Sequence, residues 1–290
     1  MLPLPGGVAG ATVRVHPMRT GEIKAPAHFL QRPRGPLPTV RGLGLLSRRS
    51  RWGSVPVPAF AVEHPGAGLL LVDTGLHPAI PDDPVEGLGR VGARAFDVTM
   101  RPEWAVPAQL RGLGLEPAGV HLVVMTHLHY DHTGAASEFA HAPFVADRAE
   151  LAATSSGLLK GYRRAHLDHP LDWRLVDFEA ADVGSHETFG RALDLLGDGS
   201  IRLLSTPGHS AGHLSVLLRL GDGRELLLTG DAAYARRSID EDLLPVFCED
   251  VHRYRRSLGE IRRYVERNPD VEVVCGHDAE GWPKVRDLYS

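Results

Sequence analysis

Cysteine is nearly absent from this 290-residue chain. Only Cys248 and Cys275 occur, without framework spacing, so no disulfide scaffold is expected and both read as reduced thiols of a cytosolic protein. Cys275 ends an apolar run and is most simply a small buried residue. Long hydrophobic runs are missing too: no stretch approaches the ~20 apolar residues of a membrane span. Met1-Leu2-Pro3-Leu4-Pro5 has neither the basic start nor the continuous apolar region of a signal peptide. A basic excess is also lacking. The net charge of −4 gives no electrostatic case for a nucleic-acid partner, and the excess of Arg over Lys reflects genome composition. A chain with 43% hydrophobic and 23% charged residues is therefore expected to be a cytoplasmic globular protein with no membrane partner.

Histidine is what the chain has, in one concentrated place. His127-Leu128-His129-Tyr130-Asp131-His132 puts four potential metal ligands into six residues, directly after the apolar run Leu122-Val123-Val124-Met125. A strand sends alternate side chains to one face, so His127 and His129 can point the same way as the chain leaves the sheet. Asp131 and His132 can then face a second point. A single four-coordinate ion cannot use all of these and keep a position open for water, so the motif asks for two ions. Three further fragments follow the same grammar. Ile201-Arg202-Leu203-Leu204 leads to Pro207-Gly208-His209, Glu225-Leu226-Leu227-Leu228 to Gly230-Asp231, and Val271-Glu272-Val273-Val274 to Gly276-His277. Glycine beside each candidate ligand permits a sharp turn and close approach. Strand ends that each carry a ligand form a rim, as in the active sites of open sheets.

In their order along the chain, His-Leu-His-Tyr-Asp-His, Thr-Pro-Gly-His, Gly-Asp and Gly-His resemble the metallo-β-lactamase fold hydrolases, from about Pro56 to the C-terminus. The resemblance implies that His127, His129 and His209 hold one metal, that Asp131, His132 and His277 hold a second, and that Asp231 bridges them. It makes Asp73, in Val72-Asp73-Thr74-Gly75, a buried support for the site. His213 reads as an orienting partner and not as a ligand. Asp231-Ala232-Ala233-Tyr234 is similar to the N-acyl homoserine lactone lactonases, in which a Tyr three residues after the bridging Asp reaches the substrate; Tyr130 and Gly276-His277-Asp278 fit the same group. Two departures stand out: Gly134-Ala135 replaces a frequent Gly-Gly, and residues 1–55 match nothing closely.

The implied fold is an α/β αββα sandwich, with two mixed sheets packed together and helices on the outer faces. Because the ligand fragments span Asp73 to His277, residues 1–290 are expected to form one domain, with 1–55 an N-terminal extension or arm packed on it. Arg32-Pro33-Arg34-Gly35-Pro36 and Arg48-Arg49-Ser50-Arg51 read as surface loops. Ala59–Val62 and Leu69–Val72, divided by His64-Pro65-Gly66, predict a hairpin. Helices are predicted over Val106–Leu115, with Pro107 in the first turn, and over Asp147–Ala153 after the strand Phe144-Val145. Residues 158–200, with Trp173, Phe178 and Phe189 among polar neighbours, read as irregular and as part of a substrate wall. From Val251 to about Glu266, Val251, Tyr254, Leu258, Ile261 and Val265 share one helical face and Arg255, Arg256, Arg262 and Arg263 the other, with Asp250 as cap and Asn268-Pro269 as stop.

The expected reaction is hydrolysis of a lactone, N-acyl homoserine lactones above all. Two ions about 3.5–4 Å apart can share a hydroxide and lower its pKa enough for attack near neutral pH. Tyr234 would donate to the oxyanion, and Asp131 is the nearest group to carry the proton to the leaving oxygen. Tyr130, Leu76 and Phe247 are the candidate apolar wall. His and carboxylate donors suit Zn2+, the expected ion, as well as Fe, Mn or Co. Alternatives are an organophosphate triesterase or arylesterase, a glyoxalase II-like thioesterase, and a metal-stabilised binding protein; a homodimer is left open.

Overall fold

The apolar runs that precede each candidate ligand become strands, and their alternation fixes which way each one faces. The computed structural model describes residues 3–26, 30–32, 48, 52–157 and 160–290. Seven strands form the first sheet: β1 (Arg14–Ala25), β2 (Gly53–His64), β3 (Gly68–Val72), β4 (Asp97–Thr99), β5 (Val120–Val124), β6 (Pro143–Asp147) and β7 (Asp172–Val176). Their order is β4-β1-β2-β3-β5-β6-β7, antiparallel from β4 to β3 and parallel from β3 to β7. The second sheet is β13-β12-β11-β10-β9-β8, from β8 (Gly184–His186), β9 (Phe189–Asp194), β10 (Ile201–Ser205), β11 (Leu214–Arg219), β12 (Glu225–Leu228) and β13 (Glu272–Val274). Only its β12–β13 pairing is parallel.

Period-two alternation sorts three layers of core. Leu70, Val72, Leu122 and Val124 of the first sheet meet Leu203, Val216, Leu226 and Leu228 of the second in one buried cluster between the sheets. Leu71 and Val123, one residue out of step, face outward and pack on Val106 and Leu110 of a helix at Val106–Gly112. Leu217 and Leu227 face outward on the other side and meet Tyr254, Leu258 and Ile261 of the helix at Val251–Arg267. Five helices are described: α1 (Pro84–Ala95), α2 (Val106–Gly112), α3 (Arg148–Ala153), α4 (Arg236–Glu241) and α5 (Val251–Arg267). The arrangement is the expected αββα sandwich.

Local signals account for most boundaries. β2 and β3 form the expected hairpin, with Phe60 opposite Val72. α2 starts with Pro107 in its first turn and stops at Gly112, short of Leu115. Asp147 caps α3 by accepting from Ala149 N, and Asp250 caps α5 by accepting from His252 N and Arg253 N.

Two expectations are corrected. Arg14–Ala25 is not an arm laid on the domain but an internal strand between β4 and β2, with Val15, Met18 and Ile23 buried. Residues 158–200 are not irregular throughout. Trp173 lies in β7 and packs at a tilt against Phe144, Phe189 opens β9, and Phe178 is buried between the sheets. β7 and β8 lie at sheet edges, where Asp172, Arg174 and Gly184 face solvent and dilute the apolar signal. Apart from Arg32 and Arg48, the segments read as surface loops before residue 52 lie outside the described residues.

Candidate active site

Five strands deliver their ends to one rim: β3 leads to Asp73, β5 to His127, β10 to His209, β12 to Asp231 and β13 to His277. There His127 Nε2 and His209 Nε2 stand 3.1 and 2.9 Å from His129 Nδ1. Ligand nitrogens at about 2.0–2.1 Å from one ion, between right and tetrahedral angles, are separated by about 2.9–3.4 Å. A second cluster lies beside the first. Asp131 Oδ2 is 3.6 Å from His277 Nε2 and 4.0 Å from His132 Nε2. Asp231 faces both, with Oδ2 3.2 Å from His209 Nε2 and 3.4 Å from His277 Nε2, and Oδ1 3.5 Å from His132 Nε2. His127–His129–His209, His127–His132–Asp231 and Asp131–His132–His277 each bring their donor atoms within 4.8 Å of one another.

The polar atoms themselves test whether cations fit. His132 Nε2 and Asp231 Oδ1 are buried and, among the described residues, neither has a hydrogen-bond partner. Buried polar atoms are rarely left so, and a cation between them would satisfy both. The donor set suits two ions that share Asp231.

Outer partners hold the candidate ligands in aim. Asp73 accepts from Thr126 N at 2.8 Å, Thr126 Oγ1 at 2.7 Å and His132 Nδ1 at 2.8 Å, which turns His132 Nε2 to the cluster. It does so from a left-handed backbone, φ 58°, a strain seen mostly at functional sites. His277 Nδ1 donates to Pro56 O at 2.9 Å, so a carbonyl of β2 orients a ligand from the far end of the chain. His213 is no ligand. Its Nε2 accepts from Asp231 N at 2.9 Å, and its Nδ1 therefore donates to Thr206 Oγ1 at 2.9 Å. A Cβ at Gly276 would lie 2.4 Å from Asp231 Oδ1, so only glycine lets β13 approach the Asp231 carboxylate.

Residues 52–277 match the metallo-β-lactamase superfamily. The chain belongs to that superfamily. Over 274 residues it is 32% identical to N-acyl homoserine lactonase AttM of Rhizobium radiobacter, covering 93% of this chain and 95% of the relative. Over 278 residues it is 33% identical to N-acyl homoserine lactonase AttM of Azorhizobium caulinodans, covering 94% and 96%. A solved N-acyl homoserine lactone hydrolase, with the product N-hexanoyl-L-homoserine at its catalytic metal centre, superposes with a TM-score of 0.73. It shares 21% identity over 98% of both chains, and that likeness speaks for the fold.

In this member of the superfamily, charge is arranged to suit metal. Burial drives His127 and His209 well below the usual histidine range and lowers His129, so all three are neutral, the ligating form. Burial opposes charge on His132 too, but Asp73, Asp231 and Asp131 outweigh it and hold that imidazole well above its ordinary value. His277 is raised by Asp231 in the same way. Burial pushes Asp231 upward, yet His277, His209 and His132 prevail and keep it well below the carboxylate range. Three carboxylates held among five imidazoles thus attract positive charge, whether as protons or as ions.

Above the clusters lies a cavity of about 440 Å³. His129, Asp131, His209, Asp231 and His277 reach it from below, Tyr234 from the side. The Tyr234 hydroxyl is 3.4 Å from His209 Nδ1. If His209 ligates through Nε2, its proton sits on Nδ1 and the phenol accepts it, which directs the phenol's own hydrogen elsewhere. Burial, then the Asp231 charge, lift the Tyr234 phenol well above its usual value, so it is a donor and not a phenolate.

Of the expected wall residues, Tyr130 and Phe247 line the cavity. Leu76 does not. It is fully buried behind Tyr130, packed with Ile23, Val57 and Ile80, and is a core residue. Sequence reasoning missed Phe96, stacked on Tyr130 with centroids 5.1 Å apart, and Ile23 and Val246, which complete the apolar side. Arg32, Lys160 and Glu249 lie at the cavity too, with Lys160 Nζ and Glu249 Oε1 2.5 Å apart. No motif marks these positions, because each reaches the site only through tertiary packing.

Proposed function

We propose that this protein opens the lactone ring of N-acyl homoserine lactones, a quorum-quenching hydrolysis that yields the free acyl homoserine. The observation that carries the proposal is the pair of clusters sharing Asp231, with a neutral Tyr234 phenol beside His209 at the base of a largely apolar cavity. The two AttM lactonases, similar along nearly their whole length, support it.

His127, His129 and His209 would hold one ion, Asp131, His132 and His277 the other, and Asp231 both. Bound divalent ions supply Lewis-acid polarisation of the carbonyl and a water acidified toward neutral pH. Tyr234 donates to the carbonyl oxygen as it gains negative charge. Asp131, open to the cavity, is the carboxylate placed to pass a proton to the leaving ring oxygen. Tyr130 and Phe247 cover the acyl tail and keep water from it. We take zinc as the occupant, since three imidazoles plus carboxylate suit its tetrahedral and five-coordinate preferences. We also assign residues 1–290 to one domain and the protein to the cytoplasm, where the free thiols Cys248 and Cys275 stay reduced.

Two measurements test this. Elemental analysis of the purified protein should approach two metal equivalents per chain, with zinc predominant. A reproducible single equivalent at full activity would sink the dinuclear reading. Side-by-side turnover of acyl homoserine lactones, thioesters and aryl phosphotriesters should favour the lactones in kcat/KM by at least roughly tenfold, about 1.4 kcal/mol in transition-state binding. Metal-loaded protein that opens no lactone with either short or long tails would hand the function to the rival esters.

A further inference from the structure

The clusters leave one buried carboxylate without a task. Glu150, in the first turn of α3, is 0% exposed. Its Oε1 accepts from Leu128 N at 3.0 Å and from the Tyr162 hydroxyl at 3.2 Å, and its Oε2 accepts from Gly212 N at 2.8 Å. The Leu128 amide is the link between His127 and His129. Gly212 lies three residues past His209 and directly before His213, the residue that holds Asp231 N. A single carboxylate thus ties together the two loops whose histidines make the first cluster. Tyr162, one of its donors, sets its ring against His129, centroids 5.0 Å apart at 62°. Close packing enforces the tie: a Cβ at Gly212 would lie 2.5 Å from Glu150 N. The second cluster is oriented differently, through Asp73 on His132 and Pro56 O on His277.

We propose that Glu150 is the positioning residue that sets the geometry of the three-histidine cluster and selectively governs metal retention there. The inference rests on the metal-binding reading given above. An isosteric amide exposes the logic. Gln at 150 has one acceptor oxygen and one NH2, so whichever way it turns, an N–H faces either Gly212 N or Leu128 N. One loop is released in both cases, while the partners of His132 and His277 stay in place.

The full-length protein, stripped of metal by a chelator, is titrated with Co(II). Ligand-field absorption and the paramagnetically shifted imidazole N–H signals report the two clusters separately. The parent should take two equivalents. In Glu150→Gln the affinity of the three-histidine cluster should fall about 10–100-fold, the usual effect of losing an outer partner, with the other cluster unchanged. Tyr162→Phe, which keeps the ring against His129, should shift the same cluster in the same direction by less. Asp73→Asn should weaken the other cluster more, because Asp73 bonds His132 directly and reaches His127 only through Thr126 Oγ1. Parent-like affinity at the three-histidine cluster in Glu150→Gln, or equal weakening of both clusters, overturns the proposal. Should that variant not fold, an unchanged Tyr162→Phe titration overturns it. A parent that takes up no Co(II) removes the two-metal reading and this inference together, whereas two equivalents with unaffected variants removes the inference alone.

Discussion

Asp231→Asn should lose metal and activity together, by more than the about 10–100-fold that loss of an outer partner costs a metal site. The carboxylate stands between the clusters, with oxygens 3.2 to 3.5 Å from nitrogens of His209, His277 and His132. Among the described residues its Oδ1 has no hydrogen-bond partner, which leaves that oxygen available to a cation. Asn keeps the shape but removes the negative charge and offers one oxygen where two are needed, a poor bridge between cations. The fold should survive, because Asp231 N remains anchored on His213 and the apolar layers are untouched. The checks are metal content by elemental analysis, kcat/KM for an acyl homoserine lactone, and far-UV circular dichroism. Two retained equivalents with parent-like turnover would falsify the shared-ligand geometry.

Tyr234→Phe should show the opposite division, with both metals kept and rate lost. The ring is fully buried between His209 and His277, with centroids 5.6 and 5.1 Å away, and Phe preserves that packing. What disappears is the hydroxyl, the donor to the oxyanion and also the acceptor for His209 Nδ1, a contact long enough at 3.4 Å to matter little to metal retention. An oxyanion donor of this kind is worth about 2.7–4 kcal/mol, roughly 10²–10³-fold in kcat. Because the contact strengthens only as the carbonyl oxygen gains charge, kcat and kcat/KM should fall together with KM nearly unchanged. Burial and Asp231 hold the phenol protonated, so the parent's rate should not decline through phenol ionisation below the ordinary tyrosine range, about pH 10. If kinetics on every lactone tested were unchanged, Tyr234 would be a packing residue.

The candidate ligands were legible in the sequence because each is announced locally. An apolar run, a glycine and a His or Asp lie adjacent in the chain, and strand geometry does the rest. His127 through His132 needed no tertiary knowledge, and α5 could be read from its periodicity because seventeen residues repeat one pattern and Asp250 caps it. Residues that act across the fold left no such mark. Glu150 sits in a six-residue helix, and nothing in Arg148–Ala153 says that its carboxylate reaches amides 22 and 62 positions away. Phe96 enters the cavity only because the end of α1 lies against Tyr130. Leu76 misled for the converse reason: it lies three residues past Asp73 in the chain, but its side chain is packed in the core. β1 went unread because no candidate ligand follows it and its burial depends on pairing with β2, Val15 opposite Val62 and Ile23 opposite Val55.

The distribution of donors between the sheets has a mechanical consequence. His127, His129, Asp131 and His132 leave the seven-stranded sheet, while His209, Asp231 and His277 leave the six-stranded one. Either ion would therefore act as a bolt through both layers, and the shared carboxylate would couple the bolts. Between the layers themselves contact is mostly non-directional and apolar, Leu70 and Val124 against Leu203 and Leu228, which resists separation better than sliding, with a few cross-layer hydrogen bonds such as Leu214 N to Thr126 O at 2.8 Å. In the loaded protein, shear of one sheet over the other would first have to extract metal. Unfolding of the loaded protein would then be timed by ion release, and a chelator would loosen the sandwich at its rim long before heat disrupts its centre.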